Sequence, residues 1–377
     1  MERLFWIATA FVFYTLVGYP ILLWICASLR PRTTQQRENW PTVSVIIVVH
    51  NEAAAIGDKI RNNLELSYPR DKLEIIVGSD GSTDSTVDVV RSFADGNVKL
   101  VESKERRGKH YIQMLARDVS RGEILVFTDA TIRAKPDILQ RLVSHFADPS
   151  IGCISSVDEV TGSRKSWMGE HFYVYGEMGL RRLESRVGSV VSMNGSLYAA
   201  RRDVCQDWHP DMSSDFFMAL HAVMAGRRAI LDPLCSVQVG VVRSGRREFS
   251  RKVRTIVHGM VVLFSHLEVL NPFRFGLFSW QLASHKLFRW LLPFAFLGIL
   301  ASNVFIWNAH AFYGICLLAQ AVLYGAGVVS LAIPGVSRLA VFRLASFFSM
   351  GNVATLVAWW KSASGDKMVT WEPSRRA

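Results

Sequence analysis

Two kinds of hydrophobic pattern divide the chain. Between Arg3 and Arg30 no residue is charged, enough length at 1.5 Å per residue to cross ~30 Å of hydrocarbon. The run is too long for a removable signal peptide and lacks a small-residue cleavage pattern, so residues 1–30 are read as an uncleaved transmembrane helix. A second uncharged run lies between Arg289 and Arg338, interrupted only by His310, and divides at Asn308-Ala309-His310 into two spans. Leu344 to Trp360 is a third apolar stretch, barely long enough to cross, with Gly351 and Asn352 midway. The segments 290–360 form the C-terminal membrane part.

After a polar linker, 31–41, the pattern changes to short aliphatic runs alternating with helical periods. Val43 to Val49 is a β-branched buried strand ending in His50-Asn51-Glu52, followed by a helix with Ile56, Ile60 and Leu64 on one face. Leu73 to Val77 is a second strand, ending in the polar turn Gly78 to Asp84, which opens a helix carrying Val87, Val90 and Phe93. Val98 to Val101 runs into the basic turn Lys104 to Lys109, another helix follows, and Ile124 to Phe127 then delivers Asp129 ahead of a helix signalled by Lys135-Pro136-Asp137. Strands and helices alternating at this spacing predict an α/β fold, a doubly wound, mostly parallel, Rossmann-like sheet. Ligands bind at the carboxyl ends of such strands, and that edge collects Glu52, Asp80, Lys109 and Asp129.

Each of these has a second explanation. Asp129 also fits a cap on the next helix; Asp80 and Asp84 fit turn and cap positions; the basic run fits a solvated loop; Gly81 and Gly108 fit turn geometry. Acidic groups on the turns suit a base, a ribose or a divalent cation, and Lys109 with Arg106 and Arg107 suits phosphate.

The formal charge is +11, and basic residues gather next to the spans (Arg30, Arg32, Lys286, Arg289, Arg338, Arg343), as in cytoplasmic loops facing anionic lipid. No basic, aromatic-interleaved surface of a nucleic-acid binder is evident. The 5 cysteines form no CxxC and no metal-ligand spacing, which suits a reducing cytosol. No GxGxxG follows Val43 to Val49, against a nicotinamide-dependent enzyme.

VHNE at 49–52, SDGSTDST at 79–86, RRGK at 106–109 and FTDA at 127–130 resemble the successive motifs of family 2 glycosyltransferases with a GT-A fold. More narrowly the chain resembles the membrane-bound bacterial exopolysaccharide branch, of succinoglycan type, and more distantly cellulose, chitin and hyaluronan synthases. The resemblance covers residues 42 to 260 and divides the chain into a GT-A domain at 42–265, an interfacial amphipathic region at 266–289 mixing Phe, Trp and Leu with Arg and Lys, the C-terminal spans and a basic tail at 361–377. It implies an inverting transfer from a nucleotide sugar, a UDP-sugar in this reading, to a lipid-linked saccharide or polysaccharide at the cytoplasmic face of the inner membrane, with polysaccharide assembly proteins as further partners. Asn51, Glu52, Asp80, Lys109, Asp129, Arg251 and Arg254 would bind the donor, Asp129 would hold Mg2+ or Mn2+, and Asp215 within SSDFFMALHAVMAGRRAILDP at 213–233 would be the catalytic base. GSLYAARRDV at 195–204 resembles the acceptor-side segment. Ser213, Ser214 and Asp215 also read as an N-cap before the helical run Phe216 to Met224, and Trp167, Tyr173 and Tyr175 fit either sugar stacking or core packing.

Two departures from the family pattern matter. Thr131 stands where the second carboxylate of an Asp-x-Asp metal motif is common, which also leaves room for a silent nucleotide-binding homologue. No Gln-x-x-Arg-Trp motif is present; Arg251-Lys252-Val253-Arg254 occupies its approximate place, against a processive synthase and in favour of single addition. The tail carries Lys361, Lys367, Arg375 and Arg376, which favour the cytoplasm, so the last apolar stretch is expected to be re-entrant or interfacial.

Overall fold

Seven strands form one sheet in the order β3-β2-β1-β4-β6-β5-β7. β1 (Val43–Val49), β2 (Leu73–Asp80), β3 (Val98–Ser103) and β4 (Ile124–Asp129) are parallel where they pair. β6 (Leu197–Arg201) runs antiparallel between β4 and β5 (Ile151–Thr161), and β7 (Arg228–Gly240) pairs parallel with β5. The computed structural model describes residues 1–93, 97–161, 168–240, 245–333, 336, 339–366 and 368; Trp167, Arg338, Lys367, Arg375, Arg376 and the Tyr173 side chain lie outside this description. The four parallel strands fall where the aliphatic runs put them. β1 is buried at all seven positions, Ile46 facing one core and Val45 and Ile47 the other, which is why it reads as an unbroken β-branched run rather than an alternation. The mixed half of the sheet lacks such runs: β5 and β7 pass through Gly, Ser and Cys positions, and their pairing shifts register between Leu231 and Ser236, around Pro233.

Helices cover both faces. α1 is Glu2–Leu29. α2 (Ala53–Leu64), α3 (Thr86–Arg91), α4 (Lys109–Val119) and α5 (Ile138–Ser144) follow the first four strands. α6 (Met168–Val187), α7 (Ser214–Met224) and α8 (Gly245–Ser265) complete the domain, and α9 (Leu277–Ile306), α10 (Ala311–Ala332) and α11 (Ala340–Ala363) end the described chain. Among the described residues four helices, α1, α9, α10 and α11, are long and apolar enough to cross a membrane.

The region 266–289, expected to lie at the membrane interface, contains a one-turn helix, Pro272–Phe275, a break at Gly276 with φ 57°, and the start of α9. No breaker lies between Leu277 and Pro293, so the helix continues through Lys286 and Arg289 into the apolar run. α1 and α9 each contain a π turn, Tyr14–Gly18 and Ala283–Leu287. The first directly precedes Pro20, whose nitrogen cannot donate to the carbonyl four residues back, so the helix widens there. The two turns meet: Tyr14 and Ser284 hydroxyls are 2.9 Å apart, and the Trp280 indole donates to the Tyr14 oxygen at 2.7 Å.

α11 turns back towards the domain. Lys252 of α8 lies 4.9 Å from the Phe347 ring, Ala354 and Ala358 pack on Val253 and Val257, and the Trp359 indole donates to the Trp290 carbonyl at 2.9 Å. Beyond the helix, the Met368 carbonyl lies 3.1 Å from His258 Nε2. The stretch of α11 from Phe347 to Trp359 therefore touches α8 and the start of α9, while its N-terminal end meets α10, where the Ser330 hydroxyl donates to the Phe342 carbonyl at 2.9 Å.

Candidate active site

β1 and β2 end together, and their loops are tied by side chains. Asn51 has φ 52°, a left-handed conformation that Asn tolerates. Its Oδ1 accepts from the Thr83 N–H at 2.8 Å, and its own N–H donates to Ser82 Oγ at 3.2 Å. The Glu52 N–H donates to Thr86 Oγ1 at 2.9 Å, at the start of α2. Asp84 accepts from the Thr86 N–H at 3.0 Å and the Ala53 N–H at 3.3 Å, so it is a turn residue bonded to the first N–H of both α3 and α2, while the N-cap positions fall on Ser85 and Glu52.

Asp80 is fully buried. Its Oδ1 accepts from the Arg107 N–H at 2.7 Å, and both oxygens lie 3.1 Å from the Gly108 N–H. Gly108, at φ 94°, and Gly81, at φ 60°, supply the backbone that brings these groups together; a Cβ on Gly81 would sit 3.0 Å from the Arg106 nitrogen. Asp80 thus shapes the basic turn from beneath, and the turn delivers Lys109 as the first residue of α4. Lys109 Nζ reaches Asp129 Oδ1 at 2.6 Å.

Asp129 stands half-buried at the end of β4. Under it lies a group the motif reading did not include: Lys59, 2% exposed, donates to Thr128 Oγ1 at 3.1 Å and the Ile132 carbonyl at 2.7 Å. Burial pushes its ammonium down to about 7, against the opposing pull of Asp129. A signal existed, since Ile56, Lys59, Ile60 and Asn63 share the buried face of α2 at helical spacing. His110 was also missed. It stands half-buried beside Trp208 and His258, with ring centroids 6.0 and 5.4 Å away, and desolvation, then His258 and Lys109, hold it well below the usual imidazole range, against the hydrogen bond that its Nδ1–H donates to Gln113 Oε1 at 3.1 Å. Arg254 of α8 adds to the same positive field at His110. Arg251 is committed to Glu248, through bonds of 2.8 and 2.7 Å.

The turn 193–196, entering β6, joins Asp129 to the second carboxylate. Ser196 accepts the Asp129 N–H through its carbonyl at 3.2 Å. Its hydroxyl bonds Asp158 at 3.2 Å, and Asn194 Nδ2 bonds the same carboxylate at 2.6 Å. At the other end, the Met193 N–H donates to the Asp215 carbonyl at 3.0 Å, and a Cβ on Gly195 would lie 3.4 Å from Asp215 Oδ2. α7 begins at Ser214, so the cap position falls on Ser213 and Asp215 is inside the first turn. The Asp215 carboxylate accepts from the Ser213 hydroxyl and, at 3.0 Å, from the Phe216 N–H. Tyr175 is exposed rather than packed in a core.

Among the described residues no three His, Cys, Asp or Glu side chains cluster closely enough to hold a metal by themselves. A lone strand-end carboxylate fits a divalent cation that arrives with phosphate oxygens, as Mg2+ commonly does, rather than a resident ion. One carboxylate with flanking cations and, across one turn, another carboxylate held only by local hydrogen bonds can act on a phosphate leaving group on one side and a proton on the other.

Residues 44–220 match the family model for glycosyl transferase family 2. The chain is 27% identical over 172 residues to a glycosyltransferase of Haloferax volcanii, covering 45% of this chain and 56% of that one. It is 23% identical over 215 residues to a beta-monoglucosyldiacylglycerol synthase of Trichormus variabilis, covering 53% and 45%. The chain thus spans about half the length of these curated relatives. A solved mannosyltransferase of Pyrobaculum calidifontis, in complex with GDP-Man and Mn2+, superposes with a TM-score of 0.75 at 26% identity, over 96% of this chain and 99% of that one.

Proposed function

We propose that the family 2 glycosyltransferase domain carried by this chain, of GT-A fold, moves one sugar from a nucleotide-sugar donor to a lipid-linked acceptor at the membrane surface, with inversion. The observation that carries this is the turn 193–196 bonded to Asp129 on one side and to Asp215 on the other. Support for the donor comes from the mannosyltransferase with GDP-Man and Mn2+, which matches nearly the whole chain. Support for a lipid acceptor comes from the glucosyldiacylglycerol synthase relative and from four apolar helices.

In this mechanism Lys109 and Arg254 draw the donor diphosphate to the strand edge, and Asp80, by holding the Arg107-Gly108 turn, fixes where Lys109 points. Asn51 and Glu52 shape the adjoining loop against the nucleoside. A Mg2+ or Mn2+ ion carried by the diphosphate and held by Asp129 would neutralise charge on the leaving group. Asp215 takes the proton of the acceptor hydroxyl as it attacks the anomeric carbon from the face opposite the diphosphate; one displacement inverts the configuration. Arg251 acts at a distance, by its pairing with Glu248 at the base of α8. The domain lies on the cytoplasmic side of the inner membrane, serving exopolysaccharide or glycolipid assembly.

Incubating membranes containing the protein with radiolabelled UDP- and GDP-sugars, Mn2+ and a lipid-extract acceptor tests the reading. Label should pass into the organic phase from one donor and stop on chelation. Donor binding without transfer from any sugar nucleotide would instead favour a silent nucleotide-binding homologue.

A further inference from the structure

α6, α9 and α1 share a buried polar cluster that the donor chemistry leaves unused. Glu184 accepts from the Tyr19 hydroxyl at 2.8 Å and meets His285 Nδ1 at 2.6 Å. Glu177 meets His285 Nε2 at 2.9 Å, Arg289 at 2.8 Å and Arg181 at 3.3 Å. Lys286, in the π turn of α9, is outside this pairing. Its ammonium lies 5.2 Å from the Phe216 ring, and among the described residues it makes no hydrogen bond or ion pair.

We propose that Lys286, with Arg181, forms an anion site beside Asp215 that holds the phosphate or diphosphate of a lipid-linked acceptor at the level of the headgroups. The charged groups facing Lys286 are Glu177, Arg181, Asp215 and Arg289. Glu177 is already shared by three partners, and Asp215 is bonded to Ser213 and Phe216, so the lysine's charge is not cancelled by contact. The Nε of Arg181 is buried with no acceptor, while its Nη1 donates to the Met193 carbonyl at 3.2 Å, in the turn that carries the Asp215 contact. A second donor with unused capacity therefore lies next to the same carboxylate.

Position selects the source of the anion. After Arg289 no charged residue follows through Ile306, and that helical run, at 1.5 Å per residue, covers about 25 Å, most of a hydrocarbon core. Lys286 and Arg289 thus fall at the headgroup level of the domain side, where the phosphate of a membrane-bound acceptor lies. In the proposed mechanism the donor diphosphate has its own cations, Lys109 beside Asp129 and Arg254 of α8. This inference rests on the transferase reading for its purpose, but binding tests it without turnover.

Full-length protein in detergent is titrated with farnesyl diphosphate, with farnesol as the neutral counterpart and inorganic diphosphate as the soluble one, following tryptophan fluorescence. Farnesyl diphosphate should bind at least ~10-fold more tightly than farnesol, as expected of charge-assisted bonds, and should still bind with nucleoside diphosphate and Mn2+ saturating. Lys286→Met should abolish that preference, whereas Lys286→Arg should retain most of it and Lys361→Met all of it. Displacement by nucleoside diphosphate, or an unchanged preference in Lys286→Met, would overturn the site. Inorganic diphosphate binding as tightly as the lipid would overturn its assignment to a lipid. Failure of sugar transfer in wild-type membranes, with this binding intact, would count against the transferase reading alone.

Discussion

Lys109 and Asp129 pair at 2.6 Å across the ends of α4 and β4, each side chain about one quarter exposed. A metal-bound diphosphate needs both groups: the carboxylate for the cation and the ammonium for the phosphate. As a partly exposed ion pair it contributes at most about 1 kcal/mol to stability, so its loss separates chemistry from folding.

Asp129→Asn should therefore lower transfer by roughly 100-fold or more and weaken nucleoside diphosphate binding in Mn2+, with a melting temperature close to wild type. Chelation of the wild type should have the same effect on transfer. Full activity in EDTA would remove Asp129 from a metal role.

His110, half-buried beside Trp208 and His258, gives a pH signature. Its folded-state pKa is held below the ordinary imidazole value of 6.5, so below that pH the unfolded chain takes up a proton that the folded one refuses. Stability should be fully present above about pH 6.5 and fall as pH drops, by up to about 1.4 kcal/mol per unit for this one group. Thermal melts between pH 7.5 and 5.5 should show a smaller decline in His110→Gln than in wild type. Parallel curves would mean that His110 titrates as an ordinary histidine.

The side on which the tail lies is a third expectation. If α1, α9 and α10 cross and α11 does not, residue 368, which lies beside His258, stays on the domain side. With the wild-type cysteines replaced, Met368→Cys should react with a membrane-impermeant maleimide only after cells are opened. Ala309→Cys, between α9 and α10, should react in intact cells. Labelling at 368 in intact cells would mean that α11 crosses.

The sequence already outlined the parallel half of the sheet, because β1, β2 and β4 are buried along nearly their whole length and so consist of aliphatic runs ending in polar turns, and the edge strand β3 falls at the same spacing. The motif spacing also singled out Asp80, Lys109, Asp129 and Asp215 as expected site residues, of which Lys109 and Asp129 meet at 2.6 Å. β5 to β7 were not legible, since β6 is short and antiparallel and β7 contains a proline. Arg181 and Lys286 were not legible either, and Lys59 showed only in the spacing of the buried face of α2, because their contacts join distant segments: Lys59 meets Thr128 and Ile132, and Lys286 meets Phe216. The paired carboxylate oxygens of Asp80 were likewise invisible, because a buried turn-former and a ligand-binding aspartate look the same in a polar Gly-containing stretch.

The central claim is that Asp215 accepts the acceptor proton. In Asp215→Asn the remaining oxygen can still take the Ser213 hydroxyl and the Phe216 N–H, and Ser213 keeps the cap position, so the fold should hardly notice. Donor affinity, melting temperature and transfer rate measured together on this variant give the most direct test. The account predicts donor affinity within a few-fold of wild type, a nearly unchanged melting temperature and transfer reduced by roughly 100-fold or more; near-normal transfer would contradict it.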